Sequence, residues 1–160
     1  MKNLRKLTLY QVGFMCDEKI NILSKLPRLE VLKLQYKSFV GKEWEIQEEV
    51  IFCQLIALVI IGCDLKHWKA SSQNFPKLEH LYLCCHELRE IPIGFAEIST
   101  LKSIKLEECL PSAVESAKKI QDEQRDYGNN DMVVIEIETL DGLESEKSLS
   151  EEEPEVITDN

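Results

Sequence analysis

FPKLEHLYL, residues 75–83, alternates apolar and polar side chains as a half-buried strand does, yet it opens on an aromatic residue and a proline. A second stretch, LPRLEVLKL from Leu26, carries leucines at the same offsets after a proline. Aligning the chain on L-x-x-L-x-L gives Leu4-Leu7-Leu9, Leu29-Leu32-Leu34, Leu55-Leu58-Ile60, Leu78-Leu81-Leu83 and Leu101-Ile104-Leu106. The first leucines of these triplets are spaced 25, 26, 23 and 23 residues apart. One such triplet occurs by chance in any amphipathic element; five at a narrow period do not.

The period is that of a leucine-rich repeat, in which no unit buries its apolar face alone and stacked neighbours build the core. The expected fold is therefore α/β: a leucine-rich-repeat solenoid with a curved parallel sheet on its concave face. Short helices, 3-10 turns and loops form the convex face. The position three after the last leucine, where Asn or Cys satisfies turning backbone, holds Val12, Lys37, Cys63, His86 and Cys109, so two of five fit. The returns differ among themselves. CDEKINILSKL predicts a short helix with Asp17 as N-cap and Ile20 and Leu23 inward. HELREIPIGFAEISTL reads as tight turns, and YKSFVGKEWEIQEEVIF as a partly exposed loop carrying Trp44.

The repeats occupy 1–110. PSAVESAKKIQDEQRDYG then predicts a helix, with Ser112 and Glu115 as a capping box, Val114, Ala117, Ile120 and Tyr127 near one face, and Gly128 as its stop. MVVIEIETL follows as a strand with one wet face, setting Val133, Ile135 and Ile137 against Val134, Glu136 and Glu138. Residues 111–140 thus form a helix-strand C-terminal cap. Residues 141–160 hold eight acids and one lysine, −7 of the chain's net −10, and read as a solvated, disordered tail. The first motif begins at Leu4 with no polar cap before it, which predicts a C-terminal piece of a longer protein or a truncated product of one.

The acidic balance argues against nucleic acid as a partner. The start, MKNLRKLTLY, is already repeat sequence rather than a signal peptide, and the apolar run from Val50 to Cys63 is too short to span a bilayer. Cys63 and Cys109 share a repeat position two turns apart, about 10 Å at ordinary strand spacing, beyond the reach of a disulfide at about 7 Å. Free thiols in a reducing cytosol are expected, and hence a cytoplasmic location. Phosphate-binding, zinc-protease and nucleophile-elbow motifs are absent from the sequence. The segment CCH at 84–86 hints at zinc, but Cys84 and Cys85 point to opposite faces of one strand. No metal, cofactor or catalysis is expected.

What the pattern does offer is a surface. The residues flanking the inward leucines face the concave side, and they place Val59, Ile61 and Tyr82 side by side. Lys33, His80 and Lys105 rim this patch, with Cys84 at its end. An apolar centre with a polar rim is how protein interfaces are built. The expected partner is another protein, either outside the chain or a neighbouring part of the same longer one.

Leu65-Lys66-His67-Trp68, the F-P-x-L-E-x-L motif, LREIP, EISTL and the SAVESAKKIQDEQ helix together resemble the C-terminal end of a plant receptor family. These are the coiled-coil nucleotide-binding leucine-rich-repeat disease-resistance proteins of the late blight resistance type; the likeness covers about residues 1–140. The resemblance implies a cytoplasmic immune receptor domain. Its repeats would hold a nucleotide switch inactive and help to sense pathogen effectors or their host targets, and activation would lead to oligomerisation and hypersensitive cell death. The ATP/ADP-binding residues of that family lie in a switch domain upstream of this segment, so none carries over. Two other readings stay open: a substrate-recruiting repeat adaptor of the F-box kind, and a truncated repeat protein without signalling of its own.

Overall fold

The computed structural model describes residues 2–11, 17–38, 41–137 and 158–159. The fold is α/β, a mostly parallel sheet with few helices. Each of the five leucine triplets ends in a five-residue strand: β1 Lys6–Tyr10, β2 Val31–Gln35, β4 Ala57–Ile61, β6 His80–Cys84 and β7 Ser103–Glu107. These pair in parallel and in chain order, with Leu7, Leu32, Leu58, Leu81 and Ile104 in one register row. β8 (Val133–Ile137) extends the sheet beyond β7 after the helix α2 (Pro111–Asp126), and β9 (Thr158–Asp159) pairs antiparallel with β1. The first leucine of each triplet is buried, as are the two that follow.

The aromatic-proline opening now has its physical reason. Leu29, Leu55, Leu78 and Leu101 each donate a backbone N–H three residues back, to the carbonyls of Leu26, Phe52, Phe75 and Ile98. The same turn thus precedes four of the five strands. Pro27 and Pro76 occupy its second position, where a fixed φ suits the turn. The residue before the proline faces the core: Phe75 is fully buried, stacks on Phe52 at 5.2 Å and meets Trp44, Trp68 and Phe95 edge-on. Such ring pairs add about 0.5–1.5 kcal/mol each beyond the area they bury.

The helix expected over CDEKINILSKL is present as α1, Asp17–Ile22, continued by a 3-10 turn at Leu23–Lys25, and Ile20 is its buried residue. LREIPIGFAEIST forms a 3-10 turn at Ile93–Glu97, in keeping with the tight turns read there. The return carrying Trp44 is not an exposed loop. Trp44 is fully buried in β3 (Glu43–Glu45), which pairs in parallel with β5 (His67–Lys69), so that Trp44 and Trp68 stack with an interplanar angle of 1°. Asn21 of α1 accepts a hydrogen bond from the Trp44 indole N–H at 2.9 Å and donates to the Glu45 carbonyl. The charges around Trp44 face outward while the indole faces in, the alternation of a strand.

Three further expectations change at the C-terminal end. The N-cap of α2 is Leu110, with Pro111 in the first turn and no side-chain cap, so Ser112 and Glu115 form no capping box; proline there lacks only an N–H that a helix start leaves unpaired anyway. Tyr127 is 69% exposed, and Gln124 takes the place on the buried face instead. In β8 it is Val134 that packs on the core, opposite the inward Ile104, while Val133 and Ile135 are exposed. Gly128 stops the helix at φ +94°, as expected, and its N–H closes on the Arg125 carbonyl. Of the acidic tail, 141–157 and 160 lie outside the described residues. Thr158 and Asp159, expected to be free, instead cover the open edge of β1. No helix among the described residues is long and apolar enough to cross a membrane.

Candidate interaction surface

The sheet brings the side chains between the inward leucines into rows. The middle row runs Thr8, Lys33, Val59, Tyr82, Lys105 and Ile135, strand by strand. Val59 and Tyr82 are therefore direct neighbours, as read from the sequence, with Lys33 and Lys105 on either side. All four are partly exposed. A second row sets Ala57 beside His80 and His80 beside Ser103. His80 is exposed, and its Nδ1 shares a 2.8 Å hydrogen bond with the Ser103 hydroxyl.

Ile61 and Cys84 do not belong to the accessible patch. They lie in the row at the C-terminal ends of the strands, and both are buried, at 4% and 8% exposure. Glu107 ends the neighbouring strand β7 and is buried as well. The Tyr82 hydroxyl donates to the Glu107 carboxylate, and Lys105 holds its ammonium 4.9 Å from the centre of the Tyr82 ring. Tyr82 is thus fixed between an anion and a cation. By spacing Ser103 and Glu107 also fall on this face; their bonds to His80 and Tyr82 appear only in the structure. Tyr82 and Glu107 sit in different rows, and only the lean of the ring joins them. The open groove of about 660 Å³ beside the end of α2 is lined by Ala96, Gln124 and Tyr127 among others and lies apart from Val59 and Tyr82.

The cysteines hold the repeats together without disulfides. Cys53, Cys63, Cys84, Cys85 and Cys109 are all unbridged thiols, and Cys16 lies outside the described residues. Cys63, Cys85 and Cys109 each donate to a carbonyl of the preceding repeat, at Leu34, Ile60 and Leu83 respectively. The position assigned to His86 by counting is thus filled by Cys85, because the bend after β6 is one residue shorter. Burial pushes the Cys85 and Cys109 thiols up, and Cys84 is pushed up to about 12 by burial first and then by Glu107 and Glu108.

A thiol raised in the folded state keeps a proton that the unfolded chain gives up. The resulting stabilisation is complete below about pH 8.5, the ordinary thiol value, and is lost as pH climbs toward 12. At pH 8.5 Cys84 carries about a thousandfold less thiolate than an ordinary thiol. Iodoacetamide at that pH should therefore label the exposed Cys53 while sparing Cys63, Cys84, Cys85 and Cys109, with urea abolishing the difference. Equal labelling of all five in native buffer, read by peptide mass spectrometry, would refute the arrangement.

Five in-register parallel strands, each ending a leucine triplet, define an α/β protein with a mostly parallel sheet. By sequence the chain is similar to late blight resistance protein homologues. It is 39% identical to one such homologue of Solanum demissum over 143 residues, 85% of this chain and 11% of that protein. To the homologue R1B-16 of the same species it is 39% identical over 130 residues, 78% of this chain and 10% of the relative. To R1B-23 it is 37% identical over 142 residues, 84% and 11% respectively. The chain therefore spans about a tenth of the length of the relatives it matches. No family model matches it.

Proposed function

We propose that this chain is a leucine-rich-repeat solenoid that serves plant disease resistance as a non-catalytic interaction module of an intracellular receptor. Within a longer protein it holds the nucleotide-binding switch inactive and takes part in pathogen recognition. The observation that carries the reading is the coincidence of two facts: identity to late blight resistance proteins across most of the chain, and leucine triplets that fall in register on successive parallel strands. The identical turn before four strands supports the solenoid. Lys33, Val59, His80, Tyr82 and Lys105 form the contact face toward the receptor's own switch domain or a pathogen or host protein, in the cytoplasm.

The test is carried out in the full receptor containing this segment, expressed in leaves. Val59→Glu and Tyr82→Glu should each either trigger cell death without pathogen or abolish recognition, with the isolated variants keeping the parent's circular dichroism. Were both receptors to signal as the parent does, with and without the pathogen, this face would not be the contact.

A further inference from the structure

Of the bends that follow β1, β2, β4, β6 and β7, one lacks a left-handed residue. After β1, β2, β4 and β7 the next residue takes left-handed backbone: Gln11 at φ 52°, Tyr36 at 43°, Gly62 at 68° and Glu108 at 52°. After β6 no residue does so, and Cys85 follows Cys84 straight into the buried cysteine position. His86 is left outside the core beside Glu108, with its Nε2 3.1 Å from the Glu108 carboxylate. The thiol of Cys84, a ring nitrogen of His86 and a carboxylate oxygen of Glu108 all lie within 4.8 Å of one another.

We propose that Cys84, His86 and Glu108 bind a single divalent cation of the zinc class, with the fourth position open to water. A sulfur, an imidazole nitrogen and a carboxylate oxygen are the donor set zinc takes, and three protein ligands plus water is its open-site arrangement. The sulfur disfavours calcium and magnesium, which take oxygen. Tetrahedral zinc, with bonds of about 2.0–2.3 Å, holds its ligand atoms about 3.3–3.8 Å apart. A closure of about 1 Å therefore completes the site. The His86 and Glu108 side chains, 66% and 36% exposed, are free to make it, while buried Cys84 fixes the sulfur. On binding, the Sγ–H bond breaks, its proton leaves to solvent and an Sγ–metal bond forms. Neutral His86 gives a lone pair, and the ion takes the place of the direct His86–Glu108 contact. Thiolate and carboxylate together balance the dication, so the site carries no net charge. The ion would staple the bends after β6 and β7.

The test uses the 160-residue chain with Cys53→Ser, which removes the exposed thiol, and Cys16→Ser, which removes the one outside the described residues. Cobalt(II) alone should give tetrahedral absorption and a sulfur-to-cobalt charge-transfer band, displaced by zinc. Against a chromophoric chelator, His86→Ala and Cys84→Ser should each weaken zinc binding at least about tenfold, since loss even of an outer-shell partner costs about that much. Zinc should raise the melting temperature of the parent and not of the His86→Ala chain. Absence of the charge-transfer band, or parent-like zinc affinity in His86→Ala, would overturn the site. His86 is exposed, so that variant decides the matter even if Cys84→Ser fails to fold.

Discussion

Phe75→Ala should destabilise the chain by about 3–5 kcal/mol, the range for deleting a fully buried aromatic side chain. The ring stacks on Phe52 and meets Trp44, Trp68 and Phe95, so its removal opens a hole in the layer that joins successive repeats. Neighbouring strands cannot close over it, because the turn from Phe75 to Leu78 fixes where the backbone lies. At about 2–4 °C per kcal/mol for a chain of this size, the melting temperature should fall by roughly 10 °C. Both tryptophans of the chain sit in this layer, so intrinsic fluorescence reads it directly. Ile22→Ala serves as the control: Ile22 is 58% exposed, and its loss should stay within about 0.5 kcal/mol. A Phe75→Ala melt within a degree or two of the parent would show that the aromatic layer does not join the repeats.

The second large effect belongs to Gln124. Its side-chain amide, almost fully buried on α2, lies 3.2, 2.8 and 2.9 Å from the carbonyls of Phe95, Ala96 and Ile98, and its oxygen accepts from Asn129. These carbonyls belong to the 3-10 turn at Ile93–Glu97 and the residue after it; those of Phe95 and Ile98 also accept the Ile98 and Leu101 N–H groups, so the amide matters most to Ala96. Gln124→Leu keeps the bulk and removes the donor. The expected cost is about 1–3 kcal/mol, the penalty for one buried group, the Ala96 carbonyl, left unpaired. Hydrogen exchange should locate it: amides of α2 and of the Ile93–Ile98 segment lose protection, while those of β1 and β2 keep theirs, as in a stacked array whose units contact only neighbours. Uniform loss across the chain would argue for a single cooperative unit instead, and an unchanged melt would show that water replaces the amide.

Asn74 has the same role two repeats earlier, reaching the Gln47 and Val50 carbonyls at 2.8 and 2.7 Å. Neither amide stands out in the sequence. Asn74 precedes the F-P pair and reads as a turn residue, and Gln124 sits among Asp122, Glu123 and Arg125 in what looks like a solvated helix face. Their partners lie more than twenty residues away, in segments that no local pattern relates to them.

The leucine triplets alone determined the strands, their order and their parallel register, because a period of 23–26 residues leaves stacked neighbours as the only place for the apolar face to go. They also placed Val59 beside Tyr82. Side-chain alternation cannot say how far a face is covered, so burial of Ile61 and Cys84 was decided by the tertiary structure. So was the fate of Trp44. Its strand has three residues and pairs with a partner 24 positions away, too short for a periodic signal. The approach of Cys84, His86 and Glu108 depends on one residue missing from one bend. A change that small leaves the sequence pattern intact, but it alters which side chains the backbone delivers to the same point.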